Sequence, residues 1–505
     1  MVIVSPGVYT FEKDLSLYAP ELATAIFGVV TTASKGPINI PTLITDKGTL
    51  DAVFGPPSVI HMGLHAATEY LKQGNQLWVV RVSTYDQEAL PFNIPNAAGT
   101  FDTLRVHILS SGSWGNTVSV AVAASAVAGR YRIAVLDGGK VVELFDNLLI
   151  GAVYATDPNY ILNRIIGSAS AYIWVEVLDD TQTDLQIGPY AFIGGDDGAP
   201  ADTADIIGSI GSPPVVPATG LQLFRNPETM DLNLLAVPGN TDHAVIAELI
   251  DICESRADCM ALLAVPYGKT VQEAVAWANG LGGGPDDPTA SLDTSYAALF
   301  YPWVKVYDSL ADSDIWISPE GHAARVIAYS DKVADPWGAP AGFNRGILND
   351  VLEIEHSATQ GERDYMYGPG NNVNPIVNFA GHGFVLWGQK TLQRTSTALD
   401  RINVRRMLLY ARKIIATAVL SLVHEPNDSR TWRRFVNLTE PICQDIKSRR
   451  GLYDFRVICD ATTNTPLVVD RNQMKGRILM QPTRTAEMIS IEFALLPTGA
   501  SFSEA

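Results

Sequence analysis

Cysteine is scarce, with four residues in 505, and their spacing makes neither a disulfide framework nor a metal knuckle. Cys253 and Cys259 lie six residues apart, near the two ends of one expected helix, which suits neither zinc nor a redox CxxC pair. Cys443 and Cys459 fall in separate elements, so buried, reduced thiols are expected, as in a protein made in a reducing cytoplasm. Long apolar runs are missing too. No stretch of about 18 apolar residues occurs, which leaves no candidate membrane span. The opening MVIVSPGVYTFEKD lacks the basic start of a secretory signal, and Pro6-Gly7 interrupts its apolar stretch. Positive charge is in deficit, with 36 Lys and Arg against 54 Asp and Glu and a net charge of −18. Such a chain is a poor general nucleic-acid binder, because phosphate affinity comes from clustered Lys and Arg.

Catalytic motifs are also absent. The chain has no GxSxG elbow, no GxxxxGK[ST] loop and no GxGxxG after a strand. His424-Glu425 runs into Pro426, which excludes a helical HExxH zinc site. Asp196, Asp197, Asp202 and Asp205 do not have calcium-loop spacing and read as a solvated turn. His61 and His65 are spaced i,i+4, but no third ligand lies near them in sequence. No catalytic residue, metal ligand or cofactor is therefore expected. The best small-molecule candidate is the turn after Gly239, where a helix N-terminus follows a parallel strand. Asn240, Thr241 and Asp242 there are also ordinary capping residues. An α/β enzyme using this turn is the alternative reading.

What is present is a composition of 47% hydrophobic and 18% charged residues, which fits an ordered globular chain, and a length that calls for several domains. Residues 1–22 read as an extended arm. Residues 23–99 alternate helix-like and strand-like segments, as the first part of an α/β domain. Residues 100–200 read as a β-rich insertion, built from FDTLRVHILSS, TVSVAVAAS, YRIAVLD, KVVELFDNL and AYIWVEVL. Residues 201–382 return to βαβ alternation, with MDLNLLAVPG and CMALLAVP as parallel strands around an amphipathic helix. Residues 383–486 form an α+β unit. It has one long helix ending at Pro426, a second that Pro441 breaks or kinks, and then the strands LYDFRVICD, TPLVVDR and KGRILMQP. Residues 487–505 make a C-terminal arm.

The long helix carries an unusual surface. Val404, Met407, Leu408, Ile414, Ile415, Ala418 and Leu422 share one broad apolar face. The opposite side carries Ile402, Leu409 and Ala416, flanked by Arg401, Arg405 and Arg412 on one edge and Arg406 and Lys413 on the other. Between residues 390 and 450 thirteen basic residues face five acidic ones, a local reversal of the chain's overall sign. An acidic protein partner is the expectation for this face. At the chain ends, Val2, Ile3, Val4, Val8, Tyr9 and Phe11 are strand formers, and Ile489, Ile491, Phe493 and Leu495 alternate with polar residues. Such ends either complete their own sheet or add to a neighbour's edge.

Taken in order, SPGVYTFEKD, IFGVVTTASKGPIN, LWVVRV, GSWGNTVSV, FIGGDDG, SYAALFYPWV, DPWGAPAGFNRG, FVLWGQKTLQ, INVRRMLLYARK, HEPNDSRTWRRF, FRVICDATTNTP and GRILMQPTRTAEMISIEF resemble the contractile tail sheath proteins of phages and related injection devices. The resemblance runs over more than 450 residues. It implies a central α/β domain of subtilisin-like fold without the catalytic Asp, His and Ser set, an outward β-rich insertion, and an inner α+β C-terminal domain completed by terminal arm strands. It further implies a structural subunit that polymerises as a helical sheath, with the tail tube, baseplate and tail terminator proteins as partners. Nucleic acid and membrane insertion play no part in that picture. The arms at the two ends then join neighbouring subunits, and the basic helix face, from Arg401 to Lys413, meets the tube. A cellular contractile injection machine remains a further alternative.

Overall fold

A computed structural model describes residues 23–84, 87–165, 170–212 and 216–491. The chain divides into two compact units, and the division falls at Lys413/Ile414.

The larger unit opens with β1 (Phe27–Thr31), β2 (Thr42–Ile44), α1 (Lys47–Phe54), α2 (Met62–Leu71) and β3 (Leu77–Arg81). An insertion follows, made of β4 (Phe92–Pro95), β5 (Asp102–Ile108), β6 (Val118–Ala124), β7 (Tyr131–Asp137), β8 (Lys140–Leu148), α3 (Ile161–Ile165), β9 (Ile173–Val177) and β10 (Gly188–Ala191). The central part continues through α4 (Thr203–Ile207), β11 (Leu234–Ala236), α5 (His243–Arg256), β12 (Met260–Ala264), α6 (Val271–Ala278), β13 (Ala297–Tyr301), β14 (Val304–Asp308) and β15 (Ser313–Ile317). It closes with α7 (Glu320–Ala334), β16 (Ile347–Leu348), β17 (Glu353–Ile354), α8 (Gln360–Met366), β18 (Val373–Phe379) and β19 (Gly383–Leu386).

Nine of these strands form one sheet in the order β16-β19-β18-β13-β12-β11-β1-β3-β2. The six inner strands are parallel, and antiparallel pairs finish both edges. Alternate residues feed opposite faces, as the two-residue period of a strand requires. Leu234 and Leu262 join one core with α2 and α7, while Leu235 and Leu263 join a second core with α5 and α6. Both faces are thus covered, which is why the inner strands read as unbroken apolar runs. On one face α2 and α7 pack backbone to backbone. A Cβ added at Gly321 would sit 2.4 Å from the Ala66 Cα, so only glycine permits this approach.

The insertion has its own core, enclosed by the sheets β10-β6-β7-β8 and β4-β5-β9. All five expected strands are present. It starts earlier than the expected residue 100, because β4 pairs with β5 and the two connecting chains meet at Gln87 N–H to Asp196 O (2.9 Å) and Leu90 N–H to Ile193 O (2.7 Å). Phe92–Pro95 is only four residues long, follows Pro91 and ends in a proline, which hid it from a pattern reading. The boundary expected at 382/383 also differs from the structure. β19 pairs with β18, so the segment from residue 383 to Lys413 stays with the large unit.

The division falls within α9 (Ile402–Val419). After it come α10 (Ser429–Ser448), β20 (Leu452–Ile458), α11 (Pro466–Asp470) and β21 (Arg477–Pro482). Pro441 does not break α10; it is exposed, so the Asn437 carbonyl that loses its helical donor can be hydrated instead. The expected strand TPLVVDR is a short helix, because Thr465 precedes Pro466 at the first helical position, where the missing N–H costs nothing. β20 and β21 pair only with each other among the described residues.

Candidate functional site

Four of the sequence blocks that carry the resemblance meet at one joint. The Arg81 guanidinium, almost fully buried, donates to the carbonyls of Ala33 (3.0 Å), Gly36 (2.7 Å) and Ser111 (3.2 Å). Asp197 accepts from the Ser113 backbone N–H at 2.7 Å and its hydroxyl at 2.6 Å, and the Asn116 amide bridges Gly195. The turns GSWGN and GGDDG are therefore docked on each other beside LWVVRV and ASKGPIN, at the base of the insertion. Asp196, Asp197, Asp202 and Asp205 serve local bonds here; Asp202 and Asp205 form the capping box of α4. Asp242 caps α5 by accepting from the Ala244 N–H, so capping accounts for the turn after Gly239.

The expected tube-facing set is split by the structure. Ile402 and Leu409 lie in the core of the large sheet, at 0% and 4% exposure, and form no external seam. Arg406 is also buried and pairs with the buried Asp331, with its Nη2 2.6 Å from the carboxylate, while donating to Thr24 O at 2.8 Å. Arg405 stacks 4.0 Å from the Tyr296 ring centre and bonds Ser295. Lys413 is half-buried against Asp231, and burial pulls its ammonium down to about 8. Arg401 pairs with Asp400 at 3.1 Å. Arg412 is exposed beside the Tyr296 hydroxyl. A one-dimensional charge pattern could not separate structural cations from free ones, because the acids that pair with them lie up to about 180 residues away.

The positively charged surface that sequence reasoning passed over is on α10. Arg430, Arg433 and Arg434 are exposed along its first two turns, and the turn carries no acid. The Asp428 side chain caps the helix, accepting from the N–H groups of Arg430 and Thr431 at 2.9 Å each. Of the expected arm residues, Ile489 and Ile491 are 80% and 71% exposed and in no strand. Val2, Ile3, Val4, Val8, Tyr9, Phe11, Phe493 and Leu495 lie outside the described residues.

A second concentration of charge was invisible in the sequence. Glu69 on α2, His322 and Arg325 on α7, Lys72, and Asp350 after β16 form one network. Burial and the neighbouring Asp350 push the Glu69 carboxyl up to about 7. Burial holds the His322 imidazole neutral, down to about 3. Asp350 stays well below the usual carboxylate range, because bonds from Arg325, Glu69 and Lys72 outweigh its partial burial.

Comparison with known proteins gives this architecture its place. The family described as phage tail sheath protein central domain matches residues 219–392, and the phage tail sheath C-terminal domain matches residues 394–495. The tail sheath protein of Vibrio phage KVP40 is 30% identical over 408 residues, covering 74% of this chain and 56% of that protein. The chain spans about half the length of the curated relatives it matches. Its fold is similar to a sheath tail protein from Listeria innocua, with a TM-score of 0.60 at 12% identity over 91% of this chain and 95% of that one. It is also similar to the contracted-state sheath of an extracellular contractile injection system, with a TM-score of 0.56 at 17% identity and 98% of each chain covered. With adjacent family matches over residues 219–495 and a fold shared across nearly the whole length, the chain belongs to the phage tail sheath family.

Proposed function

We propose that this chain is the structural subunit of a contractile phage tail sheath. It polymerises as a helix around a tail tube and contracts to drive the tube through a host envelope for genome delivery. The observation that carries this reading is the unbroken succession of the two tail sheath domains along residues 219–495. The subunit is a virion component put together in the host cytoplasm, with further copies of itself, the tube, the baseplate and the tail terminator as partners. No catalytic step or cofactor enters the reading. The extended lattice is metastable, and subunits rotate largely as rigid bodies while their ends keep them joined.

Two surfaces support the partner assignments. β20 and β21 form a two-stranded ribbon, which is marginal without added strands or packing. Its two edges suit arms contributed from residues 1–22 and 487–505 of neighbours. For the tube, the exposed arginines of α10 replace Arg405 and Arg406 as the proposed contact, and Arg412 remains a candidate by its own exposure. The sheath of a cellular injection machine is a second reading, favoured by the fold shared with such a sheath. The phage reading is preferred because the identity to a phage sheath is higher, 30% against 17%.

Electron microscopy of the purified full chain tests the proposal. Tubes with a regular helical lattice are expected; a small oligomer that persists under all solution conditions overturns it.

A further inference from the structure

Glu69, His322 and Asp350 come from three separate elements, yet one imidazole nitrogen and two carboxylate oxygens lie within 4.8 Å of one another. His322 Nε2 is 3.6 Å from Glu69 Oε2 and 3.8 Å from Asp350 Oδ1, too far for hydrogen bonds. The ring is wholly buried, and neither of its nitrogens has a partner. Buried polar atoms are nearly always satisfied, so a ring left bare on both sides and aimed at two carboxylates calls for an ion or a water.

We propose that Glu69, His322 and Asp350 bind one divalent transition-metal ion, for which Zn2+ is the best-fitting probe. A neutral imidazole and two carboxylates make a nitrogen–oxygen donor set of the kind zinc takes. Tetrahedral bonds of about 2.1 Å place neighbouring donors about 3.4 Å apart, so the two His322 distances need to contract by only a few tenths of an ångström. A cavity of about 470 Å³, lined by Lys72, Arg325, Arg345 and Asp350 among others, adjoins the cluster and supplies both an entry path and water for a fourth position.

Two cations already touch these acids, and they set the strength of the site. Lys72 bonds Glu69 Oε1 at 2.6 Å and also bonds Asp350, which leaves Glu69 Oε2 for the metal. Arg325 bonds Glu69 Oε2 at 3.0 Å and Asp350 Oδ1 at 2.6 Å. It must yield both of these and turn into the cavity it lines. Repulsion from both cations points to micromolar rather than nanomolar affinity. The bound ion would fasten α2, α7 and the segment after β16 to one another, within the large unit alone. This proposal is independent of the sheath assignment.

The test uses the full chain, freed of any affinity tag and stripped with chelator, titrated with Zn2+ by calorimetry. One ion per chain with Kd of about 10 µM or tighter is expected, along with a Tm that rises with Zn2+ and falls back with chelator. His322→Gln should weaken binding at least tenfold. If that variant does not fold, X-ray absorption of the zinc-loaded wild type decides. Nitrogen and oxygen neighbours at about 2.0–2.1 Å with imidazole scattering support the site. A sulfur shell near about 2.3 Å would instead assign the ion to cysteines and overturn the proposal. No binding up to about tenfold above the expected Kd, or binding unchanged in a folded His322→Gln variant, overturns it as well.

Discussion

Burial decides what an ionisable side chain can do before any partner is considered. In sequence, Arg405 and Arg406 are indistinguishable from Arg412. In the structure the first two are enclosed by Tyr296, Ser295 and Asp331, while the third reaches solvent. Removing one member of a pair such as Arg406 and Asp331 strands a buried charge, so such residues are held by stability alone. Glu69 shows the same principle through pH. Its carboxyl is raised to about 7 from an ordinary 4.5, so the folded chain keeps a proton that the unfolded chain has lost between those values. Stability from this group is therefore present at low pH and declines as pH rises through about 7. His322, lowered to about 3, and Lys413, lowered to about 8, work in the opposite direction, the first mainly below the ordinary imidazole value of 6.5 and the second mainly above 8. Between pH 6.5 and 8 both oppose the acids only in part, and Glu69 alone should cost about 1 kcal/mol across the window. Glu320, also raised to about 7 by burial, adds to the slope. Urea unfolding of metal-free wild type should weaken from pH 6.5 to 8, and Glu69→Gln should flatten that decline in part. A slope identical in the variant would show that Glu69 is ionised in the folded protein.

At the scale of elements, the sequence was legible wherever local pattern and final environment agreed. The alternating strands of the insertion and the apolar inner strands of the large sheet stand where pattern put them. Two departures have local causes, since α11 follows from Pro466 at a helix start and α10 tolerates an exposed Pro441. The candidate surface was less legible, because helical periodicity shows which residues share a face but not what covers it. Both faces of α9 up to Lys413 are largely covered by the chain itself, whereas α10 leaves arginines uncovered. Positive charge in a first helical turn opposes the helix dipole, so Arg430 is placed against the helix's own stability. Replacing Arg430 and Arg433 with Glu should leave thermal stability unchanged or raise it by about 0.3–1 kcal/mol. The same change should sharply reduce co-sedimentation with polymerised tail tube protein, most visibly at low salt. Unchanged co-sedimentation would remove α10 from the proposed tube contact.

For the whole molecule, the open question is whether the chain ends serve their own protomer or the next. The large unit closes its sheet, covers both faces and seats its insertion using residues 23–413. The second unit closes less completely. Its small core gathers around Leu422, Phe435 and Cys459, and β20 and β21 have no third strand among the described residues. Met488, Ile489 and Ile491 are 89%, 80% and 71% exposed, so these apolar side chains add little to the fold of their own protomer. Exposure of this kind is costly for an isolated chain and useful in a polymer, where a neighbour can cover it. Removing residues 487–505 should therefore leave a soluble chain whose Tm is close to that of the full protein but which forms no tubes. Removing residues 1–15 should give the same separation of folding from assembly if the N-terminal arm also serves a neighbour. Tubes from truncated chains would refute exchange of the deleted end. A large fall in Tm would refute it differently, by showing that the end completes a sheet in its own protomer. Only loss of assembly with folding preserved supports strands lent between subunits.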